Sequence, residues 1–391
     1  MNRRVFLCTA AAAGLRAIGL AQPSNLPEAI RKLRPMTAGV QPITTEERRA
    51  RIEKARRLMH ENRIDAVLME GGSSSLYFTG ARTDAVLMLP LRGEITWLSH
   101  VGDDEAKYGA IASALKDRGV ATGRVGVEER VRFDVVDGVS KLAPALEFTS
   151  ADPVTAGCRM IKSPAEIALM QRANDITIAA YKAALASLRE GMTQRELSAN
   201  IGAAYQALGV SGEAMASFGE YTAYPHGSIE PQKLREGDFV LIDDGCRVEG
   251  YQSDITRTVI FGKPTDRQRQ IWALERKAQD AALAAAKPGA TCESVDAAAR
   301  KVITDAGFGP GYKVPGLPHR TGHGIGLDGH EWTYLVRGNK TRLQPGMCFS
   351  DEPMIAIYGE FGVRLEDCMY ITEDGARTFS KQSPAIDQPF G

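Results

Sequence analysis

Two stretches of this chain repeat one another in order and in spacing, and that duplication limits the folds open to it. Gly191-Met-Thr193 opens a segment that closes at Gly209, and Gly289-Ala-Thr291 opens one that closes at Gly307, with the glycines 18 positions apart in both. Downstream, Leu234-x-x-Gly237 stands six positions before Asp243, and Leu343-x-x-Gly346 stands six before Glu352. One shared spacing arises by chance; two in the same order mark a repeated unit. Each copy reads as a helix, a capped helix ending at glycine, and a hairpin that carries acids. Two copies about a pseudo-twofold axis would set those hairpins face to face.

The acids themselves are matched. Asp243 and Asp254 flank a turn expected at Arg247–Gly250, and Glu352 and Glu366 flank one expected at Gly359–Gly362. His323 lies between the two hairpins, in His-Arg-Thr-Gly-His-Gly-Ile-Gly. Four carboxylates brought together repel strongly unless cations stand among them. The pattern therefore suits a site for two divalent metal ions.

A length of 391 residues leads to an expectation of two domains. Lys plus Arg and Asp plus Glu number 48 each, so no basic excess points to nucleic acid or a membrane surface. No run reaches the ~18 apolar residues of a spanning helix, and no membrane insertion is expected once the N-terminal signal is removed. That signal is read from Arg3-Arg4-Val5-Phe6-Leu7 and the small apolar residues after it, a pattern that resembles a twin-arginine export signal. Arg16 within the apolar stretch departs from the usual form. Residues 1–21 are assigned to the signal, which implies a periplasmic or secreted protein, and residues 22–42, with several prolines, to a linker. Loss of the signal leaves five cysteines, Cys158, Cys246, Cys292, Cys348 and Cys368. Cys348 and Cys368 flank one hairpin, but buried free thiols are the expected state.

Thr44-x-x-Glu47 is a capping box that opens a helix to about Glu61. Apolar strands follow at 64–69, 85–89 and 95–98, then a helix at 104–116 and short strands near Val125 and Leu146 with a helix between them. This alternation defines an N-terminal α/β domain over 43–158. Ser163-Pro164-Ala165-Glu166 then starts the first helix of a second domain, 159–385.

Six pieces of this second domain together carry a family resemblance. They are Asp-x-Gly at 243–245, Ser-Asp-Ile-Thr-Arg-Thr at 253–258, Gly-His-Gly at 322–324, His-Glu at 330–331, Glu-Pro at 352–353 and Arg-x-Glu-Asp at 364–367. In order and over more than 120 residues, they resemble the metallopeptidases that include Xaa-Pro aminopeptidases, prolidases and methionine aminopeptidases. The resemblance implies a mixed α/β (α+β) pita-bread fold with an internal pseudo-twofold duplication. More weakly, the first domain, with Tyr77-Phe-Thr-Gly80, resembles the creatinase/prolidase-type N-terminal domain, which points toward the Xaa-Pro branch.

The resemblance further implies that Asp243, Asp254, His323, Glu352 and Glu366 hold two divalent ions. Oxygen donors with one imidazole suit Mn²⁺ first, with Co²⁺, Fe²⁺ or Zn²⁺ as alternatives. Glu352 would move the proton of the attacking water toward the leaving nitrogen, and His226 and His330 would contact the oxyanion and the substrate. On strand periodicity, Arg364 and Glu366 share a face, as do Asp254 and Thr256; Thr256 is expected to orient Asp254, and Arg364 to tie Glu366 or reach the substrate's far end. His319 fits the pattern less well, His60 and His100 read as structural or exposed, and Glu331 and Asp367 read as supporting residues. The expected activity is removal of the residue before proline from peptides with proline second, an Xaa-Pro aminopeptidase. An Xaa-Pro dipeptidase, or a metal-dependent hydrolase or lyase of non-peptide substrates, is the alternative, and a homodimer is the family expectation. Creatinase-like members that work without metal, and inactive binding modules, lose ligands that are all present in this chain.

Overall fold

The computed structural model describes residues 26–83, 85–98 and 104–390. The export signal and His100 lie outside the described residues. Ile30, the apolar centre of a short helix at Glu28–Arg31, is fully buried. Met36 N–H donates to the Leu208 carbonyl, and Arg172 donates to the Met36 carbonyl at 3.1 Å. The segment expected as a linker is thus, from residue 26 on, a strap docked on the second domain. Ile30, Leu33, Met36 and Val40 supply the apolar surface for it.

Five strands form the first domain's sheet: β1 (Ala66–Glu70), β2 (Val86–Pro90), β3 (Thr96–Leu98), β4 (Gly123–Val127) and β5 (Leu146–Ser150), in the order β3-β2-β1-β4-β5. β1 runs antiparallel to β2 and parallel to β4. Ala66 and Leu68 face a core with Ile111 and Val139, whereas Val67 and Met69 face one with Ala55 and Met59. A strand covered on both faces needs a continuous apolar run, and β1 has one. The helix Thr45–Glu61 starts with Thr44 accepting from the Glu47 N–H. Glu47 does not complete a capping box; its carboxylate is taken by Arg51 and Ser163.

The duplication is plain in the second domain. One half holds helices Pro164–Leu185 and Gln194–Leu208, then β6 (Met215–Phe218), β7 (Phe239–Asp243), β8 (Arg247–Val248), β9 (Tyr251–Gln252) and β10 (Arg257–Ile260). The other holds Asp266–Ala285 and Cys292–Asp305, then β11 (Gly322–Gly324), β12 (Glu331–Leu335), β13 (Cys348–Asp351), β14 (Met354–Ile357), β15 (Phe361–Arg364), β16 (Asp367–Ile371) and β17 (Ala376–Thr378). The sheet order β10-β7-β6 recurs as β16-β13-β11, with β12 and β17 added outside. Each half is tied by the same strap. Gly191 N–H donates to Leu234 O and Leu234 N–H to Met192 O; Gly289 N–H donates to Leu343 O and Leu343 N–H to Ala290 O, all at 2.8 Å. Gly191 and Gly289 both sit at positive φ, 76° and 83°, which a side chain would resist. The halves differ in their caps: Thr193 and Glu196 form a full capping box, whereas the helix after Thr291 receives no side-chain cap.

Both hairpins form, with one turn displaced. Glu249 and Gly250, at φ 50° and 90°, make the tight turn between β8 and β9. In the second half the turn is Tyr358–Glu360, not Gly359–Gly362, because Gly362 belongs to β15 opposite Ala356. A Cβ on Gly362 would stand 2.4 Å from the Thr222 carbonyl oxygen, so glycine there serves packing between the halves. The body runs past residue 385: Ile386 is buried, and the Pro389 carbonyl accepts from Arg257. The five cysteines are buried free thiols, and Cys368 lies opposite Ser350 rather than Cys348. Among the described residues, no helix is long and apolar enough to cross a membrane.

Candidate metal centre

Asp243 ends β7, Glu352 follows β13 and Glu366 precedes β16, so three of the four acids sit where ladders stop. Asp254 lies in the irregular stretch between β9 and β10, where its N–H donates to Cys368 Sγ at 3.3 Å. His323 is buried in the middle of β11. Its Nδ1 faces the Gly324 carbonyl at 3.1 Å. A carbonyl only accepts, so Nδ1 carries the proton and Nε2 keeps its lone pair. That Nε2 lies 3.2 Å from Glu352 Oε1 and 3.6 Å from Asp254 Oδ2.

All five residues line one cavity of about 240 Å³ together with His226, His319, Arg320, His330, Asp244 and Arg364. Asp254, His323 and Glu366 each offer an atom within 4.8 Å of the others. Asp243 and Glu352 stand outside that tight group; on Asp243, Thr256 Oγ1 donates to Oδ1 at 2.6 Å, and Arg364 Nη2 donates to Oδ2. Two expectations are corrected here. Thr256 reaches Asp243 and Glu366 (2.6 Å each), not Asp254. Arg364 ties Asp243, Thr256 Oγ1 and the Pro225 carbonyl, not Glu366. Thr256 sits in irregular backbone before β10, and Arg364 ends β15 with Glu366 beyond the strand end, so the two-residue alternation fails in both places.

The electrostatics are those of crowded acids. Burial, and then the neighbouring Asp243 and Glu352, push the Asp254 carboxyl far above the usual range. Burial and the same crowding raise Glu366. Glu352 is pushed up to about 7, by burial first, against the pull of Arg364. Burial holds His323 neutral, with His330 adding to the effect. Glu366 Oε1 is buried with no hydrogen-bond partner. An orphaned carboxylate oxygen, acids that bind protons abnormally well for want of cations, and a neutral imidazole lone pair all fit divalent ions.

The remaining histidines divide. His226 and His330 line the cavity, as expected. The His330 ring lies 3.9 Å from that of His323, tilted by 36°, and its Nδ1 lies 2.9 Å from Arg320 Nη2. His319 also lines the wall, with its acidity pushed to about 3 by burial and Arg364, so it stays neutral. His60 is exposed on its helix. Glu331 turns away from the cavity. It accepts from Arg159 and Lys162 and from the N–H groups of Leu327 and Asp328. Asp367 pairs with the fully buried Arg257 at 2.7 Å. Sequence reasoning missed Arg320, three residues before His323, and gave Asp244 no role. Burial and Asp243 push Asp244 up to about 7, and it borders an adjoining cavity of about 330 Å³ with Glu213 and Arg247.

Two like halves that bury oxygen donors and one imidazole at their seam define a metalloenzyme of the pita-bread class. Residues 168–373 match Metallopeptidase family M24, and residues 51–161 match the Creatinase/Prolidase N-terminal domain. The chain belongs to metallopeptidase family M24. It is 32% identical to an Xaa-Pro dipeptidase of Pyrococcus furiosus, over 85% of this chain and 97% of that one. Dipeptidase PepE from Mycobacterium ulcerans superposes with a TM-score of 0.82 at 30% identity, covering 89% of this chain and 99% of that structure. An X-Pro aminopeptidase from Thermotoga maritima gives 0.77 at 26% identity, covering 86% and 99%.

Proposed function

We propose that this chain is an Xaa-Pro dipeptidase in which Asp243, Asp254, His323, Glu352 and Glu366 hold two divalent ions, Mn²⁺ first among the candidates. The observation that carries the metal reading is the unpartnered, buried Glu366 Oε1 beside Asp254 and His323. The dipeptidase relatives, matched over nearly their whole length, favour that activity over the aminopeptidase one. The Thermotoga aminopeptidase shares the architecture, so the fold alone does not choose between them.

Bound ions would polarise the scissile carbonyl and supply an ionised water near neutral pH. The chain's own groups do the rest. Glu352 takes the proton of the attacking water and passes it to the leaving proline nitrogen. Arg320 donates to His330 Nδ1, so the neutral ring keeps its proton on Nε2 as a donor for the oxyanion. His226 lines the same cavity and orients the substrate. Arg364 and Thr256 fix Asp243 before any ligand arrives.

The test is hydrolysis of Ala-Pro, Ala-Pro-Ala and Ala-Ala-Ala by metal-stripped protein with Mn²⁺, Co²⁺ or Zn²⁺ restored. Metal-dependent cleavage of Ala-Pro alone is expected. Release of alanine from Ala-Pro-Ala would return the aminopeptidase reading, and turnover of none of the three would remove peptides as substrates. Export by the Arg3-Arg4 signal belongs to the same proposal.

A further inference from the structure

His330 stands in a stretch that no helix or strand holds. Residues 325–330 have no regular structure between β11 and β12, so side chains rather than a backbone ladder set the course of the chain there. Two carboxylates do this, one on each side of the histidine. Glu331 accepts from Arg159, from Lys162 at 3.0 Å and from the N–H groups of Leu327 and Asp328. Asp328 reaches toward the first domain. Its Oδ1 accepts from Ser73 Oγ at 2.7 Å and pairs with Arg130 Nη2 at 3.1 Å, and its Oδ2 accepts from Arg159, at the domain junction, at 2.6 Å. Ser73 is fully buried on the helix Gly72–Thr79. Leu76 of the same helix and Leu327 both close on Gly250: a Cβ there would stand 2.6 Å from Leu76 Cδ2 and 3.3 Å from Leu327 Cδ2. Glu128 of the first domain and His330 line one small cleft of about 40 Å³ at this seam, with Arg159 and Asp328 between them.

We propose that the first domain positions His330 for the reaction by clasping Asp328, with Ser73 and Asp328 as positioning residues that act through the imidazole. The inference rests on the peptidase reading above for its rate readout. Gly329 alone separates Asp328 from His330, and it brings no side chain to fix the chain. With Asp328 released, Glu331 still anchors one side of His330, but the other side is free to turn about Gly329. The ring then rests on its contact with Arg320 Nη2 and its approach to the His323 ring. A misplacement of ~1 Å can cost about 10²-fold in rate. The two first-domain contacts differ in weight. Arg130 is half exposed, so its ion pair is screened by water. The Ser73 hydroxyl is buried and donates to a charged acceptor, which makes it the stronger hold.

An opposing account makes the clasp a weld between domains with no part in the rate. Ser73→Ala and Asp328→Ala, each made alone and together with His330→Ala, separate the two. Metal content, kinetics on Ala-Pro and deuterium uptake over residues 326–331 are measured in the full-length, metal-loaded protein. Asp328→Ala should lower kcat about 10–100-fold and Ser73→Ala about 3–10-fold, with KM and metal content within about twofold of wild type. Deuterium uptake over 326–331 should quicken in both. On the His330→Ala background neither should lower kcat by more than about twofold further, because the group they act through is gone. Should Asp328→Ala fail to fold, Ser73→Ala decides alone. Losses as large on the His330→Ala background as on wild type, an unchanged kcat, unchanged uptake, or loss of metal from Ser73→Ala would overturn the positioning role. A wild type inert on Xaa-Pro peptides, with uptake quickened in the variants, would instead overturn the peptidase reading and leave the clasp standing.

Discussion

Replacement of Thr256 by valine tests whether the centre is built before metal arrives. Thr256 is fully buried, and its hydroxyl lies 2.6 Å from Asp243 Oδ1, 2.6 Å from Glu366 Oε2 and 2.9 Å from Arg364 Nε, which donates to it. A hydroxyl has one proton, so at any moment one carboxylate receives it while Arg364 occupies a lone pair. Valine keeps the shape and removes both contacts. Hydrogen bonds to charged groups contribute about 1.5–3 kcal/mol each, so about 3–6 kcal/mol of ligand positioning is at stake as an upper limit. Bound ions would hold the two acids by themselves, and recover part of this. The expected outcome is metal binding weaker by about 10–100-fold, the usual cost of losing a group that orients a ligand. Competition between Mn²⁺ and a chelating dye at fixed pH measures it, with Thr256→Ser as the control that keeps the hydroxyl. Metal affinity in Thr256→Val within twofold of wild type would refute the claim that this hydroxyl positions Asp243 and Glu366.

Arg257→Met removes a fully buried guanidinium bonded to Asp367 and to the Thr256, Glu366, Lys381 and Pro389 carbonyls. It should cost about 3–5 kcal/mol in urea denaturation, because Asp367 keeps its hydrogen bonds from Ser380 and Gln279 but loses its ion-pair partner; a wild-type midpoint would refute this. Metal-free protein should lose stability as pH rises from 5 to 8. Glu352 has its folded-state value raised to about 7, so the folded chain keeps a proton that the unfolded chain, at ~4.3, has released. Glu331 acts in the opposite sense: burial opposes ionisation, but Lys162 and Arg159 hold it down at about 2, so its contribution is lost as pH falls below ~4. Thermal melts with chelator and with Mn²⁺ check the pair, and a metal-free Tm that climbs between pH 5 and 8 would contradict the first. Arg3→Lys with Arg4→Lys should block export while the purified enzyme keeps its activity; continued export of the double variant would remove the twin-arginine reading.

Local signals carried much of this structure. The Ser163 and Thr193 capping boxes, the left-handed Gly209 and the matched Leu-x-x-Gly straps are properties of a few neighbouring residues, so they were readable in order. The acids, at equal distances from those straps, came with them. What depends on distant partners was not readable. Glu47 looked like half of a capping box until Arg51 and Ser163 competed for it. Gly362 looked like a turn residue until the Thr222 carbonyl packed against it. Thr256 and Arg364 were assigned partners by strand alternation, but Thr256 lies in irregular backbone and Arg364 ends β15, with Glu366 past the break. Arg320 carried no signal of its own, because an arginine beside a histidine is ordinary until the fold sets it against His330.

One half of the repeat supplies aspartates and the other supplies glutamates at the equivalent places. A glutamate reaches about one carbon–carbon bond, ~1.5 Å, further from its backbone than an aspartate does. The first hairpin must therefore approach the centre more closely than the second, and the pseudo-symmetry of the backbone is broken at the ligands. A symmetric pair of identical half-chains could not offer that lopsided grip. Within one polypeptide each copy carries its own ligand length, the shorter reach from the first half and the longer from the second.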